Sequence, residues 1–351
     1  MLKLGNITSI NTERHSSSWF KVLGDTVYVV ENNLLFSIQE DKKLVETYAD
    51  TNLEITKSSN SLLVGSKLIG YDRISLDHSV NNEPMLKGFK LPFDSNSELI
   101  YFFRRDRESK EYRSGIFDTN SSSFILDMDS ILNINFIEGD VLLNIEFTRI
   151  DKNGNAVWKF IPNKFEAVEI QKTIGVYQNQ LLVSCSNHLL LSIDVATGKV
   201  LHHWQELEGF EVGSLYKDVL PDPTNFVLDK SAAKLIGVFD TYYFEIDLES
   251  KEISYHQLKD ELAKHGIRSF RPFSQNPYTP DHLFLTAHTF LSEVPNVDLS
   301  SVLALNRNTK KVDWVYIFKD TGLGTNVPQI TSTHLYQLDL DHNLHIFERT
   351  N

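Results

Sequence analysis

Three residue types able to do chemistry crowd into Leu181–Trp204: the thiol of Cys185, the imidazoles of His202-His203, and the Thr197-Gly198-Lys199 turn. Nucleophilic attack or metal binding would need these groups to converge. Adjacent histidines on a strand point to opposite faces, so His202 and His203 do not reach one ion together. Cys185 lies within an apolar run, which suits a packed thiol better than a nucleophile. The chain holds twelve histidines, but His342 and His345 have odd spacing, His282 and His288 flank a strand, and none matches a zinc helix or knuckle. Asp151-Lys152-Asn153-Gly154-Asn155 sets oxygen ligands at alternate positions, as a calcium loop does. Its glycine is fourth rather than sixth, however, and Pro162 stands where the last carboxylate belongs. Asn153-Gly154 is instead a hairpin turn signal. Gly322-Leu323-Gly324-Thr325-Asn326 lacks the lysine and strand-to-helix setting of a phosphate loop, and no G-x-S-x-G elbow occurs. Arg104-Arg105-Asp106-Arg107 shares its loop with Glu108 and Glu111 and reads as a solvated, self-neutralised hairpin end. The expectation is no catalytic residue, no metal and no cofactor.

The elements carrying these residues are short strands. Leu181-Leu182-Val183, His188 to Asp194 and Lys199 to Trp204 alternate with turns every eight or so residues, without a helical stripe. The same unit recurs along the chain. Val27–Val30, Leu34–Ile38 and Leu44–Tyr48 form one copy, and Leu62–Val64, Leu68–Asp72 and Met85–Phe89 a worn second. Leu99–Phe103, Tyr112–Asp118 and Phe124–Asp127 form a third, and Val141–Ile150 with Ala156–Phe160 a compressed fourth. Leu235–Phe239, Tyr242–Asp247 and Glu252–Gln257 make the sixth; Leu283–Ala287, Ser301–Leu305 and Val312–Phe318 the seventh. Leu335–Asp339 and Leu344–Glu348 make an eighth that stops before its last strand. A further strand precedes several units: Leu53–Thr56, Ile131–Ile137, Ile174–Tyr177 and Val327–Thr331. A four-stranded repeat of this length predicts a β-propeller. The expectation is a single domain over residues 1–351, with eight blades favoured by the spacing and seven the alternative. Leu2–Ile10 would supply the missing outer strand of the last blade and so remove an open edge. A β-sandwich, or two stacked all-β domains, does not explain a period sustained along the chain.

These units resemble the quinoprotein-like (PQQ-like) propeller repeats. Their pattern is a strand ending in aspartate, a Thr-Gly-Lys turn, and a strand ending in tryptophan. Here it stands as Leu191-Ser192-Ile193-Asp194, Thr197-Gly198-Lys199 and Trp204. Echoes are Phe244-Glu245-Ile246-Asp247 with Lys251, Leu303-Ala304-Leu305 with Thr309-Lys310 and Trp314, and Asp151 to Trp158. In such a turn the aspartate and threonine satisfy amides, glycine takes φ > 0, and the tryptophan packs between blades. The resemblance implies a fold rather than an activity, because these repeats serve both dehydrogenases and binding scaffolds. The dehydrogenases carry a quinone, a metal ion and a vicinal disulfide. A chain with one cysteine has no such disulfide.

The 351 residues carry a formal charge of -13 and 41% apolar residues. No apolar run is long enough to span a bilayer, the first twenty residues do not read as a secretory signal, and one cysteine suits a reducing compartment. A cytoplasmic monomer is expected, with no membrane association. The acidic balance repels nucleic acid and would steer in a basic protein.

Loop lengths locate the candidate site. Turns such as Gln39–Lys43, Thr119–Ser122, Ala196–Gly198 and Leu248–Lys251 are short. The long connections are Arg105–Glu111, Gln205–Asp222, Leu258–Ser269, His288–Ser300 and Lys319–Asn326, and strand order puts all of them on one face. Leu258–His265 can form a short helix with Gly266 as its stop. Gln205–Asp222 reads as an irregular acidic segment in which Glu206, Glu208, Glu211 and Asp218 surround Phe210 and Tyr216. Phe290 lies on the same side. Aromatic anchors ringed by carboxylates suit a basic protein surface. The expectation is a non-enzymatic protein-binding scaffold, in one form an immunity-like inhibitor covering a basic toxin or nuclease. The alternative is a propeller hydrolase or lyase with a polar or metal site at the channel mouth.

Overall fold

In the computed structural model the described residues are 2–10, 20–39, 42–57, 61–83, 86–90, 99–105, 112–128, 134–137, 140–143, 147–151, 153–160, 168–271, 276–290, 300–319, 321–324 and 326–349. The protein is an eight-bladed β-propeller. Strand β1 (Leu2–Ser9) comes first in the chain but belongs to the last sheet. The first sheet is β2 (Phe20–Leu23), β3 (Thr26–Glu31), β4 (Leu34–Ile38) and β5 (Lys42–Thr47). The second is β6 (Glu54–Lys57), β7 (Ser61–Ser66), β8 (Gly70–Ser75) and β9 (Val80–Glu83). The third is β10 (Leu99–Arg105), β11 (Tyr112–Asp118) and β12 (Ser123–Met128). The fourth is β13 (Ile134–Ile137), β14 (Asp140–Leu143), β15 (Thr148–Ile150) and β16 (Ala156–Lys159). The fifth is β17 (Ile170–Tyr177), β18 (Gln180–Cys185), β19 (Leu190–Asp194) and β20 (Val200–Trp204).

A two-stranded hairpin, β21 (Glu206–Val212) and β22 (Tyr216–Val219), follows and belongs to none of the eight sheets. The sixth sheet is β23 (Val227–Asp229), β24 (Lys234–Phe239), β25 (Tyr242–Asp247) and β26 (Ile253–Gln257). A six-residue helix α1 (Lys259–Lys264) leads into the seventh: β27 (Ile267–Phe270), β28 (His282–Thr289), β29 (Ser300–Asn306) and β30 (Val312–Ile317). The eighth runs β31 (Gln329–Ile330), β32 (His334–Leu338), β33 (Asn343–Arg349) and then β1. Strand β1 pairs antiparallel with β33, Leu2 facing Arg349 and Ser9 facing Asn343. The chain's first strand thus covers the edge that its last strand would leave open, as the truncated eighth repeat predicts.

Burial follows position in the sheet. The second strands are apolar on both faces: β3, β7 and β18 are buried throughout or nearly so. Outer strands such as β5 are exposed along most of their length. By contact the chain divides into two compact units, Met1–Ser9 with Gln180–Ile193 and Val200–Asn351, and Ile10–Asn179 with Asp194–Lys199. In the first unit Ile236, Val238, Leu262, Leu283, Leu285 and Leu303 form one core, and Phe284, Val302, Phe318, Leu335 and Phe347 another. In the second, Tyr28, Val30, Ile55, Leu62 and Val64 form one, and Leu63, Tyr71, Ile100, Phe102 and Phe117 another. Each of these cores joins residues of successive sheets. That is why a single repeat unit, with no neighbour to cover it, does not stand alone.

Three strand expectations change. Val141–Ile150 is two strands, β14 and β15, rather than one: the compressed fourth unit has its full complement. The last strand of the second sheet is Val80–Glu83, upstream of Met85–Phe89. Gln205–Asp222 is not irregular, since most of it is the β21–β22 hairpin. The third sheet has three strands among the described residues, and Lys90 bridges Phe103 on the open side of β10, N to O at 2.8 and 3.0 Å.

Candidate functional site

The Thr-Gly-Lys turn is a structural device. Asp194 Oδ1 accepts from Thr197 N (2.7 Å) and Thr197 Oγ1 (2.8 Å), and Gly198 takes φ 71°. The same turn recurs with other residues. Asp247 Oδ1 accepts from Glu249 N (2.9 Å) and Ser250 N (2.8 Å), with Lys251 at φ 69°. Asn306 Oδ1 accepts from Asn308 N and Thr309 N, each at 3.0 Å, with Lys310 at φ 58°. The hydrogen bonds from Thr197 hold the Asp194 carboxyl below its usual range.

Two tryptophans close the next turn. Trp158 Nε1 donates to Val195 O (2.7 Å), and Trp204 Nε1 donates to Lys251 O (2.8 Å). Gly198 lies against the Trp158 ring, so that a Cβ there would stand 2.8 Å from it. Where lysine replaces glycine, its ammonium bonds its own turn and the preceding blade. Lys251 Nζ reaches Leu248 O and Gln180 Oε1 (2.5 Å to the latter), and Lys310 Nζ reaches Arg307 O and Glu245 Oε1 (2.9 Å to the latter). Burial opposes ionisation of Glu245. Hydrogen bonds from Lys234, Lys310 and Tyr243 outweigh it and bring the carboxyl down to about 2. Beside it Arg307 Nη2 meets Asp229 Oδ2 at 2.6 Å, both side chains buried.

Other chemical candidates have the following surroundings. Cys185 is buried, and burial pushes its thiol up to about 12. Asp151 Oδ1 accepts from Asn153 N (2.8 Å) and Asn155 N (2.9 Å), and Gly154 takes φ 84°, as a hairpin turn requires. His282 Nε2 meets Asp313 Oδ2 at 2.9 Å. His345 Nε2 meets buried Asp339 Oδ2 at 2.8 Å, among the rings of Tyr316, Phe318 and Phe347. Among the described residues no three His, Cys, Asp or Glu side chains are grouped to hold a metal ion. No helix there is long and apolar enough to cross a membrane. The basic loop beyond Arg105 lies outside the described residues.

The candidate partner-binding residues fall on and near the hairpin. It joins the outer strand of the fifth sheet to the first strand of the sixth. Connections of this kind emerge at the same strand ends as the turn between the second and third strands of a sheet. The contacts agree: Tyr216 packs on Phe239 (4.5 Å between centroids) and His188 (5.3 Å), which stand at such turns in the sixth and fifth sheets. Phe210 is 1% exposed and packs edge-on against Tyr242 (5.0 Å), Phe244 (5.4 Å) and Tyr255 (5.6 Å). Leu207 and Leu220 are buried as well. Phe210 is therefore not the exposed anchor expected from its acidic neighbours. It pins the hairpin to the sixth sheet, and Tyr216, half-buried, pins the other strand.

A bulge shapes the ribbon. Glu206 pairs with Val219 and Glu211 with Lys217, with a register shift between them. Gly209 (φ 76°) donates its amide to Asp218 Oδ1 at 2.8 Å, and Asp218 itself takes φ 54°. Glu206, Glu208, Glu211 and Asp218 are all exposed. Among the described residues no side-chain ion pair engages Glu206, Glu208 or Glu211. Glu31, Glu245 and Glu261, by contrast, each meet a lysine. Asp222 caps the 3-10 turn Pro223–Asn225 through Thr224 N (3.0 Å) and is not part of this strip. At the tip, after Gly213 and Ser214, Leu215 is 82% exposed, a residue the sequence reading passed over. The Gly213-Ser214 pair between two apolar-bearing runs was the available hairpin signal. Phe290 is 60% exposed at the end of β28, its amide bonded to Gly266 O (2.9 Å) beside α1, and 291–299 lie outside the described residues. Helix α1 ends at Gly266 (φ 71°), as expected of Leu258–His265.

No family model matches the chain, and no curated protein matches its sequence. Solved structures do resemble it. The computationally designed Ika8 protein has 8% identity and a TM-score of 0.57, over 97% of this chain and 99% of that one. Sqt1 of Saccharomyces cerevisiae has 10% identity and a TM-score of 0.58, over 99% of each chain. Apo AztD from Citrobacter koseri has 9% identity and a TM-score of 0.51, over 86% of each. At such identities the likeness is one of fold.

Proposed function

We propose that the protein is a non-enzymatic scaffold that binds another protein through the strand ends of its fifth to seventh sheets, with the β21–β22 hairpin as the contact element. One observation carries this reading. The hairpin adds no strand to any sheet, yet Phe210 and Tyr216 fasten it to the sixth sheet, and Leu207 and Leu220 are buried. An inserted element held this firmly makes a rigid platform, and rigid scaffolds present recognition loops at low entropic cost. Phe290 and the helix-bearing connection at α1 lie at the same strand ends and extend the surface. The recurrent Asp- or Asn-started turn supports repeats of the quinoprotein-like kind. The single buried cysteine suits a cytoplasmic site of action, and a monomer that covers a basic toxin or nuclease is one form the scaffold takes.

Site-specific photo-crosslinking tests the reading. A photoreactive residue at position 215 or 290 is expected to capture a partner from native lysate, whereas one at exposed Glu249, in the turn at the opposite strand ends, is not. Capture from 249 alone, or from none of the three positions, removes this surface as the interface.

A further inference from the structure

We propose that Asn153-Gly154 is a site of spontaneous covalent modification, at which the Gly154 amide converts Asn153 to aspartate and isoaspartate, and that Asp151 restrains the conversion. The scaffold reading does not depend on it. This is the one Asn-Gly pair in the chain. It stands in the turn between β15 and β16, where Asn153, Gly154 and Asn155 are all exposed.

The reaction takes only water from outside. The Gly154 nitrogen loses its proton and attacks Asn153 Cγ; a C–N bond forms and Nδ2 leaves as ammonia, giving a succinimide ring. Water then opens the ring at either carbonyl. Breaking the bond from Cγ to the ring nitrogen gives aspartate with the original backbone. Breaking the bond from the main-chain carbonyl carbon gives isoaspartate, whose backbone runs through Cβ and Cγ. Nucleophile and target sit on adjacent residues, so the attack is intramolecular and gains the rate that proximity confers. A side chain on the attacking residue would crowd the nitrogen. Gly154 has none, and the place of its missing Cβ meets only an ordinary contact with Ile125 O, at 3.5 Å.

Hydrogen bonds oppose the attack. Gly154 N donates to Asp151 O (2.9 Å), which occupies the nucleophilic nitrogen. Asp151 Oδ1 accepts from Asn153 N (2.8 Å) and Asn155 N (2.9 Å), which fixes the backbone on both sides of it. Hydrogen bonds from Asn155 and Asn153 also hold the Asp151 carboxyl below its usual range, so the restraint is in place at neutral pH. Ring closure therefore waits on local opening of the turn. The flanking strands are three and four residues long, and β16 is mostly exposed, so that opening is far cheaper than unfolding the sheet. Each conversion adds a negative charge to a chain already at -13, and isoaspartate adds a methylene to the turn that sets Arg149 opposite Trp158.

Peptide mapping by mass spectrometry tests this, on the full chain aged in mildly alkaline buffer below its unfolding temperature. Electron-transfer fragmentation separates aspartate from isoaspartate. Asn153 is expected to convert ahead of every other asparagine, faster as pH rises, with isoaspartate among the products. Asn120-Ser121, exposed in the turn between β11 and β12, is the internal comparison, since its attacking residue carries a side chain. Asp151→Ala removes the carboxylate acceptor and should speed conversion at Asn153 about fivefold to tenfold, leaving Asn120 unchanged. Asp151→Asn keeps a side-chain oxygen for the same amides and should age close to the wild-type rate. A urea-unfolded sample sets the unrestrained rate. Asn153 still intact in the folded chain once the unfolded chain has converted, or converting no faster than Asn120, overturns the site. An Asp151→Ala chain that ages like the wild type overturns the restraint, as does equal acceleration at Asn153 in the alanine and asparagine variants.

Discussion

Gly198 shows how one residue position serves differently in successive blades. Its φ of 71° is reproduced by Lys251 and Lys310, so the turn tolerates a side chain in the left-handed region when that side chain is bonded. At 198 no such room exists, because the Trp158 ring stands 2.8 Å from where a Cβ would lie. Gly198→Ala is expected to cost about 1–3 kcal/mol in urea unfolding, from strain and overpacking. A cost below a few tenths would show that the Trp158 contact is loose. Glu245 offers a second measurement. Its folded value of about 2 lies below the ordinary carboxylate value, so its stabilising contribution is complete above the unfolded value and is lost as pH falls through the folded one. Stability should therefore decline between about pH 4.5 and pH 2. Glu245→Gln, by removing the titrating group, should flatten that part of the pH profile while lowering stability at neutral pH. An unchanged profile in the variant would assign the acid sensitivity to other carboxylates. The turn chemistry at these positions was legible because aspartate, threonine and glycine act on amides within a few residues. The lysines' bonds to Gln180 and Glu245 were not, because those partners lie far away in the chain.

The β21–β22 hairpin separates what a local pattern shows from what packing decides. Its acidic residues were visible as a cluster, and Glu206, Glu208, Glu211 and Asp218 are exposed in the folded hairpin. Phe210 was read among them as an outward anchor, but strand alternation, broken by the bulge at Gly209, turns it inward. The destination of that ring is set by Tyr242, Phe244 and Tyr255, more than thirty residues downstream. Phe210→Ala should therefore act first on the hairpin. Truncating a buried phenylalanine costs about 3 kcal/mol or more, which corresponds to roughly a hundredfold faster exchange of the Gly209 and Leu220 amides. The amides of β24 and β25 should be affected far less. Uniform acceleration across the sixth sheet would mean that hairpin and blade open as one unit.

Closure of the eighth sheet depends on the two ends of the chain meeting. Strand β1 runs along β33 from Leu2 opposite Arg349 to Ser9 opposite Asn343. Deleting Leu2–Ser9 should remove about 2–4 kcal/mol of stability, leave the β33 edge unpaired and promote self-association, checked by urea unfolding and sedimentation velocity. A truncated chain that stays monomeric with an unchanged midpoint would show that the closure is dispensable. The repeat, the blade number favoured by its spacing, and this closing strand could all be read from the order of residues. Turn signals and alternating strands are local properties, and a short count in the last unit calls for a strand from elsewhere. The first strands β2, β23 and β27 of their sheets went unread in the sequence. The folded molecule settled which aromatic side chains face inward and which carboxylates go unpaired, and it left Leu215 bare at the tip of the hairpin. Those outcomes depend on contacts between residues distant in sequence, whose free energies arise only once neighbouring blades are in place.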